Sequence, residues 1–134
     1  MAWSTFVGSE LGQIDDVVST ENVMCSSISI NGPWSATLLL FCDVQVAFAS
    51  TASVLGMEPH EVEKADVLDI MGELANIIGG NLKGAVSDDN AAWKLSLPVV
   101  SEGMQTVPGS KLTTELAFIG PWGTIGCQVR EHAV

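Results

Sequence analysis

Leu68, Met71, Ala75, Ile78, Leu82 and Ala85 recur at alternating three- and four-residue steps, the spacing of one apolar helical stripe. Asp69, Glu73, Asn76, Gly80 and Lys83 follow the same spacing on another face. At about 100° per residue the two stripes lie roughly opposite each other. The pattern predicts a helix over about 60–86, with Pro59 in its first turn and Glu61 and Glu63 near its positive end. Gly79-Gly80 weakens it by about 1 kcal/mol per glycine relative to alanine. A break there is the alternative, but the stripe continues through Leu82 and Ala85. A second helix is predicted from about Val44 to Leu55, capped by Asp43, ended by Gly56 and buried along Val44, Ala47, Phe48, Thr51 and Leu55.

The remaining patterns read as strands. Val23, Cys25, Ile28 and Ile30 give partial alternation over 22–30. Asn31-Gly32-Pro33 is a turn signal, and Trp34 to Cys42 makes the second arm of an antiparallel hairpin. Its run Leu38-Leu39-Leu40-Phe41 implies cover on both faces. Past a turn at 87–90, β-like segments fall at about 92–100, 102–107 and 112–120. Gly120-Pro121-Trp122-Gly123 turns the chain into a last strand at about 124–131. Residues 3–20 are less regular, and Trp3, Phe6, Val7 and Leu11 suit either a short helix or a packed lead-in. The expected fold class is α+β: a largely antiparallel sheet with the two central helices packed on it. The 134 residues contain no repeat or linker and suit one domain, 1–134.

Composition narrows the function. Net charge is −11, from 16 acidic and 5 basic residues. Nucleic-acid binding needs clustered Lys and Arg, and anionic membranes attract the same residues, so neither partner is expected. The acidity reads first as solubility, and second as attraction to a partner with a basic rim. No apolar run approaches the ~20 residues of a membrane helix, and the N-terminus lacks the basic start of a secretory signal. Cys25, Cys42 and Cys127 are odd in number and widely spaced. They read as reduced, buried thiols of a cytoplasmic protein.

The candidate chemistry lies on the polar helical stripe. Glu73 and Asn76 place a carboxylate and a carboxamide one turn apart, opposite the buried side. A solvated helix face is the ordinary alternative, although asparagine is a poor helix former in mid-helix. Gly72 and Gly80 border the pair and are expected to give a docking macromolecule close access. Other candidates are weaker. Asp88-Asp89 and Asp15-Asp16 lack calcium-loop spacing. The serines lack a Gly-x-Ser-x-Gly setting, and nucleotide fingerprints are missing. His60 reads as a surface residue. Trp3, Trp34, Trp93 and Trp122 read as core or edge residues rather than a base-stacking platform.

Asp69-x-x-x-Glu73-x-x-Asn76, continuing as Ile-Ile-Gly-Gly-Asn81, resembles the signature helix of the CheC/CheX-type chemotaxis phosphatases. The family signature includes a proline some twenty residues downstream, where Pro98 stands. The detailed likeness covers roughly 69–98. It implies a CheC/CheX-like fold and hydrolysis of the phosphoaspartate of a CheY-type response regulator. In that reading Asn76 positions the attacking water and Glu73 contacts the regulator's lysine, while Asp69, Gly72 and Gly80 belong to the docking face. Asp69 could equally be an ordinary surface charge, and Pro98 reads as structural. The protein would need no cofactor of its own, with a divalent cation such as Mg expected in the regulator's site. The single motif resembles CheX, which implies a homodimer formed through the sheet, with the C-terminal strands as the open edge. Two other readings are a non-catalytic module of the chemotaxis or flagellar-switch apparatus and a small-ligand-binding α+β domain using the tryptophans.

Overall fold

Asp43 is where the first hairpin becomes a helix. Its carboxylate Oδ1 accepts the Gln45 N–H at 2.8 Å, and α1 (Val44–Leu55) starts there as expected. Gly56 ends it in the left-handed region, with φ of 65°. The computed structural model describes residues 12–14, 18–86, 93–120 and 123–132. The lead-in at 3–11, Asp15-Asp16, the turn at 87–90, Trp3 and Trp122 lie outside them.

Among the described residues, seven strands form one sheet: β1 (Gly12–Ile14), β2 (Val23–Asn31), β3 (Ala36–Asp43), β4 (Lys94–Leu95), β5 (Val99–Glu102), β6 (Ser110–Gly120) and β7 (Gly123–His132). The order is β1-β6-β7-β3-β2-β4, with β5 also paired to β2, and every pairing is antiparallel. The hairpin β2–β3 and the hairpin β6–β7 follow the sequence reading.

Among the described residues, two helices cover one face. Met24, Ile28, Leu38, Leu40, Cys42, Ile125 and Cys127 meet Ala47 of α1 and Val67, Met71, Leu74 and Ala75 of α2 (Lys64–Val86). On the opposite face Val23, Cys25, Leu39 and Phe41 form a smaller core under Val18, Met104 and Val107. The run Leu38–Phe41 is therefore buried on both sides, as its continuous hydrophobicity required. This is the expected α+β arrangement.

Five local expectations need correction. α1 is buried along Val46, Ala47, Ser50, Thr51 and Ala52, with Val44 and Phe48 partly covered and Leu55 exposed. The motif helix begins at Lys64, not near residue 60. Pro59–Glu61 is a separate 3-10 turn, and Val62 is extended with its side chain buried. Two successive caps explain this: Glu61 Oε1 accepts the Glu58 N–H at 3.3 Å, and Asp66 Oδ2 accepts the Glu63 N–H at 3.0 Å. The strand expected over 92–100 is split into β4 and β5 around Ser96–Pro98. Residues 103–107 do not form a strand, Glu102 being the end of β5. They begin the crossing from β5, beside β2, to β6 on the far side of β7, and their apolar members Met104 and Val107 cover the sheet instead of pairing in it. Finally, β7 lies inside the sheet between β6 and β3, so the C-terminal edge is β6 alone, itself paired with β1 at Ala117–Ile119.

α2 runs unbroken through Gly79-Gly80. All three cysteines are free and buried.

Candidate functional site

The periodicity of α2 translates directly into its surroundings. Val67, Met71, Leu74 and Ala75 are buried, while Asp69, Glu73, Asn76 and Gly80 are exposed. Glu73 and Asn76 therefore share the solvent side of a helix clamped by the core on its other side.

The glycines divide by face. Gly79 lies against β2: a Cβ built there would sit 2.8 Å from Ile28 Cγ2. Gly80, one residue on, would place its Cβ in open space. Gly80 thus leaves the outer face bare, as expected. Gly72 does not border that face as expected. It is buried, and its Cβ would lie 3.5 Å from Val100 Cγ2 and 3.6 Å from Pro98 Cγ. The segment joining β4 to β5 climbs beside the helix and fills this flank. Pro98 therefore packs on the signature helix, in keeping with a structural role. Ser96, Leu97 and Gln105, which hold or extend this flank, carried no distinctive sequence signal beyond the Leu-Pro step.

The charge around the site is uneven. Glu58, Glu61, Glu63, Asp66, Asp69 and Glu73 gather towards the N-terminal end of α2. Lys64 in their midst is paired with Glu102 at 2.8 Å. Asn81 is exposed and Lys83 half-buried further along the helix.

Away from α2, Trp34 stands against Trp93 with ring centroids 6.4 Å apart, and its indole N–H donates to Glu131. Trp34, Lys111, Glu131 and His132 line a concavity of about 520 Å³. It lies at the end of the sheet and includes none of the motif residues. Among the described residues, no three of His, Cys, Asp and Glu gather as metal ligands, and no helix is long and apolar enough to cross a membrane.

The sequence matches the family model described as chemotaxis phosphatase CheX over residues 24–117, well over half of the chain. The chain belongs to the CheX family. The matched span runs from β2 into β6 and contains all of α2. The fold is similar to that of a CheX protein from Desulfovibrio desulfuricans, at 20% identity and a TM-score of 0.77 over 98% of this chain and 91% of that one. It is similar to CheX from Vibrio vulnificus at 19% identity and a TM-score of 0.78, covering 98% and 89%. A third relative is the CheX of a CheX–CheY–BeF3–Mg complex from Borrelia burgdorferi, at 14% identity and a TM-score of 0.73, covering 98% and 94%. At these identities the likeness is one of fold. No functionally curated protein matches the chain.

Proposed function

We propose that this CheX-family chain hydrolyses the phosphoaspartate of a CheY-type response regulator. The observation that carries the proposal is the common exposed face of Glu73 and Asn76 on α2, opposite its buried side. Membership of a family of chemotaxis phosphatases supports it, as does a relative seen in complex with CheY.

A convex helix face with one carboxylate and one carboxamide lacks an activated nucleophile. It suits a partner that brings the rest. The regulator supplies the acyl phosphate, a divalent cation and a lysine. Asn76 supplies a placed water: its amide both accepts from and donates to the water, holding the oxygen in line with phosphorus. The water oxygen bonds to phosphorus as the bond from phosphorus to the aspartate oxygen breaks. The products are inorganic phosphate and the free carboxylate. Positioning contributes most of the rate in such a loose transfer. Glu73 pairs with the regulator's lysine and sets the docking register. Asp69 and the bare backbone at Gly80 extend the contact face. The protein acts in the cytoplasm, where its regulator resides, and pairs as a dimer through its sheet, on the β6 side. A native mass of one chain in light scattering would reject the dimer without touching the catalysis.

The deciding experiment is dephosphorylation of an acetyl-phosphate-labelled CheY-type receiver domain with and without the protein. Faster loss of label supports the proposal. Tight binding with unchanged loss would favour the non-catalytic module.

A further inference from the structure

The edge of the sheet brings an apolar ledge up beside the Asn76 face. Leu95 Cδ2 lies 3.7 Å from the Cβ position of Gly79, and Pro98 Cγ lies 3.6 Å from that of Gly72. Those glycines are about 10 Å apart along a helix rising 1.5 Å per residue. Three extended residues cover the same distance. Leu97 therefore passes level with the turn that carries Glu73 and Asn76.

Leu97 is 86% exposed and Val99 58% exposed. Neither sits on slack backbone. The Ser96 N–H donates to the Ser29 carbonyl at 2.9 Å, and the Ser29 N–H returns a bond to Ser96 Oγ at 2.9 Å. Pro98 fixes its own φ and rests on Gly72. Gln105 Nε2 donates to the Val99 carbonyl at 3.0 Å and to the Cys25 carbonyl at 3.1 Å. The ledge is thus held in place while its side chains stand in water.

The outer stripe of α2 (Asp69, Glu73, Asn76 and Gly80) contains no apolar side chain of its own. Protein interfaces centre on apolar anchors inside a polar rim. A standard interface covers ~800 Å² on each partner, a disc roughly 16 Å in radius. Centred on Asn76, such a disc extends past the helix, which is about 10 Å wide, onto the flank that carries Leu97. A partner of that size seated over Asn76 therefore has Leu97 within reach of its footprint.

The geometry points to Leu97, flanked by Pro98 and Val99, as the apolar anchor on which the phosphorylated receiver domain docks, against an apolar patch beside its acyl-phosphate pocket. This rests on the proposed function and adds the residue that sets affinity for the regulator. Leu97 acts in docking and not in the chemistry.

The test uses the full chain carrying Leu97→Ala, Leu97→Asp or Leu97→Met. The probe is a CheY-type receiver domain from the same organism, loaded with beryllofluoride and Mg²⁺ for calorimetry and with phosphate for kinetics. Leu97→Ala should raise Kd and KM by ~10-fold or more, the scale of losing one buried leucine side chain. Leu97→Asp should be worse, and Leu97→Met should stay near wild type. The kcat should hold within about twofold, and the thermal midpoint should not fall, because the side chain is in water in the free protein. Unchanged Kd and KM in Leu97→Asp would overturn the anchor and leave the Asn76 chemistry standing. So would a lower native mass of the free protein with unchanged Kd, which would place Leu97 between two copies of the chain. Leucine-dependent binding without hydrolysis by the wild type would overturn the chemistry and keep the anchor. A wild-type chain that binds no loaded receiver domain overturns both.

Discussion

Gly79 meets Ile28 so closely that an alanine methyl at Gly79 would lie 2.8 Å from Ile28 Cγ2. Ile28 is wholly buried, and its β-branched side chain has little freedom to swing aside. The neighbouring Gly80 faces open space. Two adjacent glycines on one helix therefore have opposite reasons for lacking a side chain.

Their alanine variants should accordingly move stability in opposite directions. Gly79→Ala should destabilise by ~1–3 kcal/mol through overpacking, despite the better helix propensity of alanine. Gly80→Ala should stabilise by up to ~1 kcal/mol. Gly80→Leu should fold normally but lose regulator binding, since its side chain rises on the docking face. Urea unfolding of the variants checks the first pair. A sharp loss of stability in Gly80→Leu with activity retained would reverse the assignment of faces.

Asn76→Ala should keep the fold, because the side chain is exposed and alanine is the better helix former. Its rate of regulator dephosphorylation should drop by ~10²-fold or more, the scale of losing a positioned catalytic group. Single-turnover kinetics at saturating protein separates this from weakened docking. Full activity would remove Asn76 from the chemistry.

Glu73→Ala should weaken the complex as well as the rate, because its proposed partner is a lysine across the interface. Glu73→Lys should be worse, since like charges would meet. Titration against the beryllofluoride-loaded receiver domain measures both. Equal affinity for wild type and Glu73→Lys would refute the contact.

The buried thiols predict lability in alkali. Burial, with the carboxylate of Asp43 adding to it, pushes the Cys42 thiol up to about 12 from a usual 9.0, and burial pushes Cys127 up to about 11. Above pH ~9 the unfolded chain releases protons that the folded chain keeps, so stability falls as pH rises. Below the ordinary thiol range these groups impose no slope. Between there and about pH 11, each should contribute a decline of about 1.4 kcal/mol per pH unit. Denaturant unfolding across that window measures the slope, and Cys42→Ala should make it shallower. An identical slope in that variant would show that the decline comes from other groups.

Features governed by neighbouring residues were legible in the chain itself. The Asn31-Gly32-Pro33 turn, the cap at Asp43, the stop at Gly56 and the outer stripe Asp69–Glu73–Asn76–Gly80 all follow from spacing and turn chemistry. The site face is local in this sense, because one helix carries it and helical periodicity alone sets which residues point outward. What lies beside that helix is not local. Gly72 reads as bare backbone until β5 and the segment before it deliver Val100 and Pro98 against it. The segment 102–107 reads as β-like until the sheet order requires it to cross the opposite face. β7 reads as a possible edge until β3 pairs along its other side. Leu97 is only an apolar residue before a proline until the fold sets it level with Asn76. In each case the deciding contact joins segments far apart in the chain. Such contacts follow from how the strands are ordered around one core, which local periodicity does not encode.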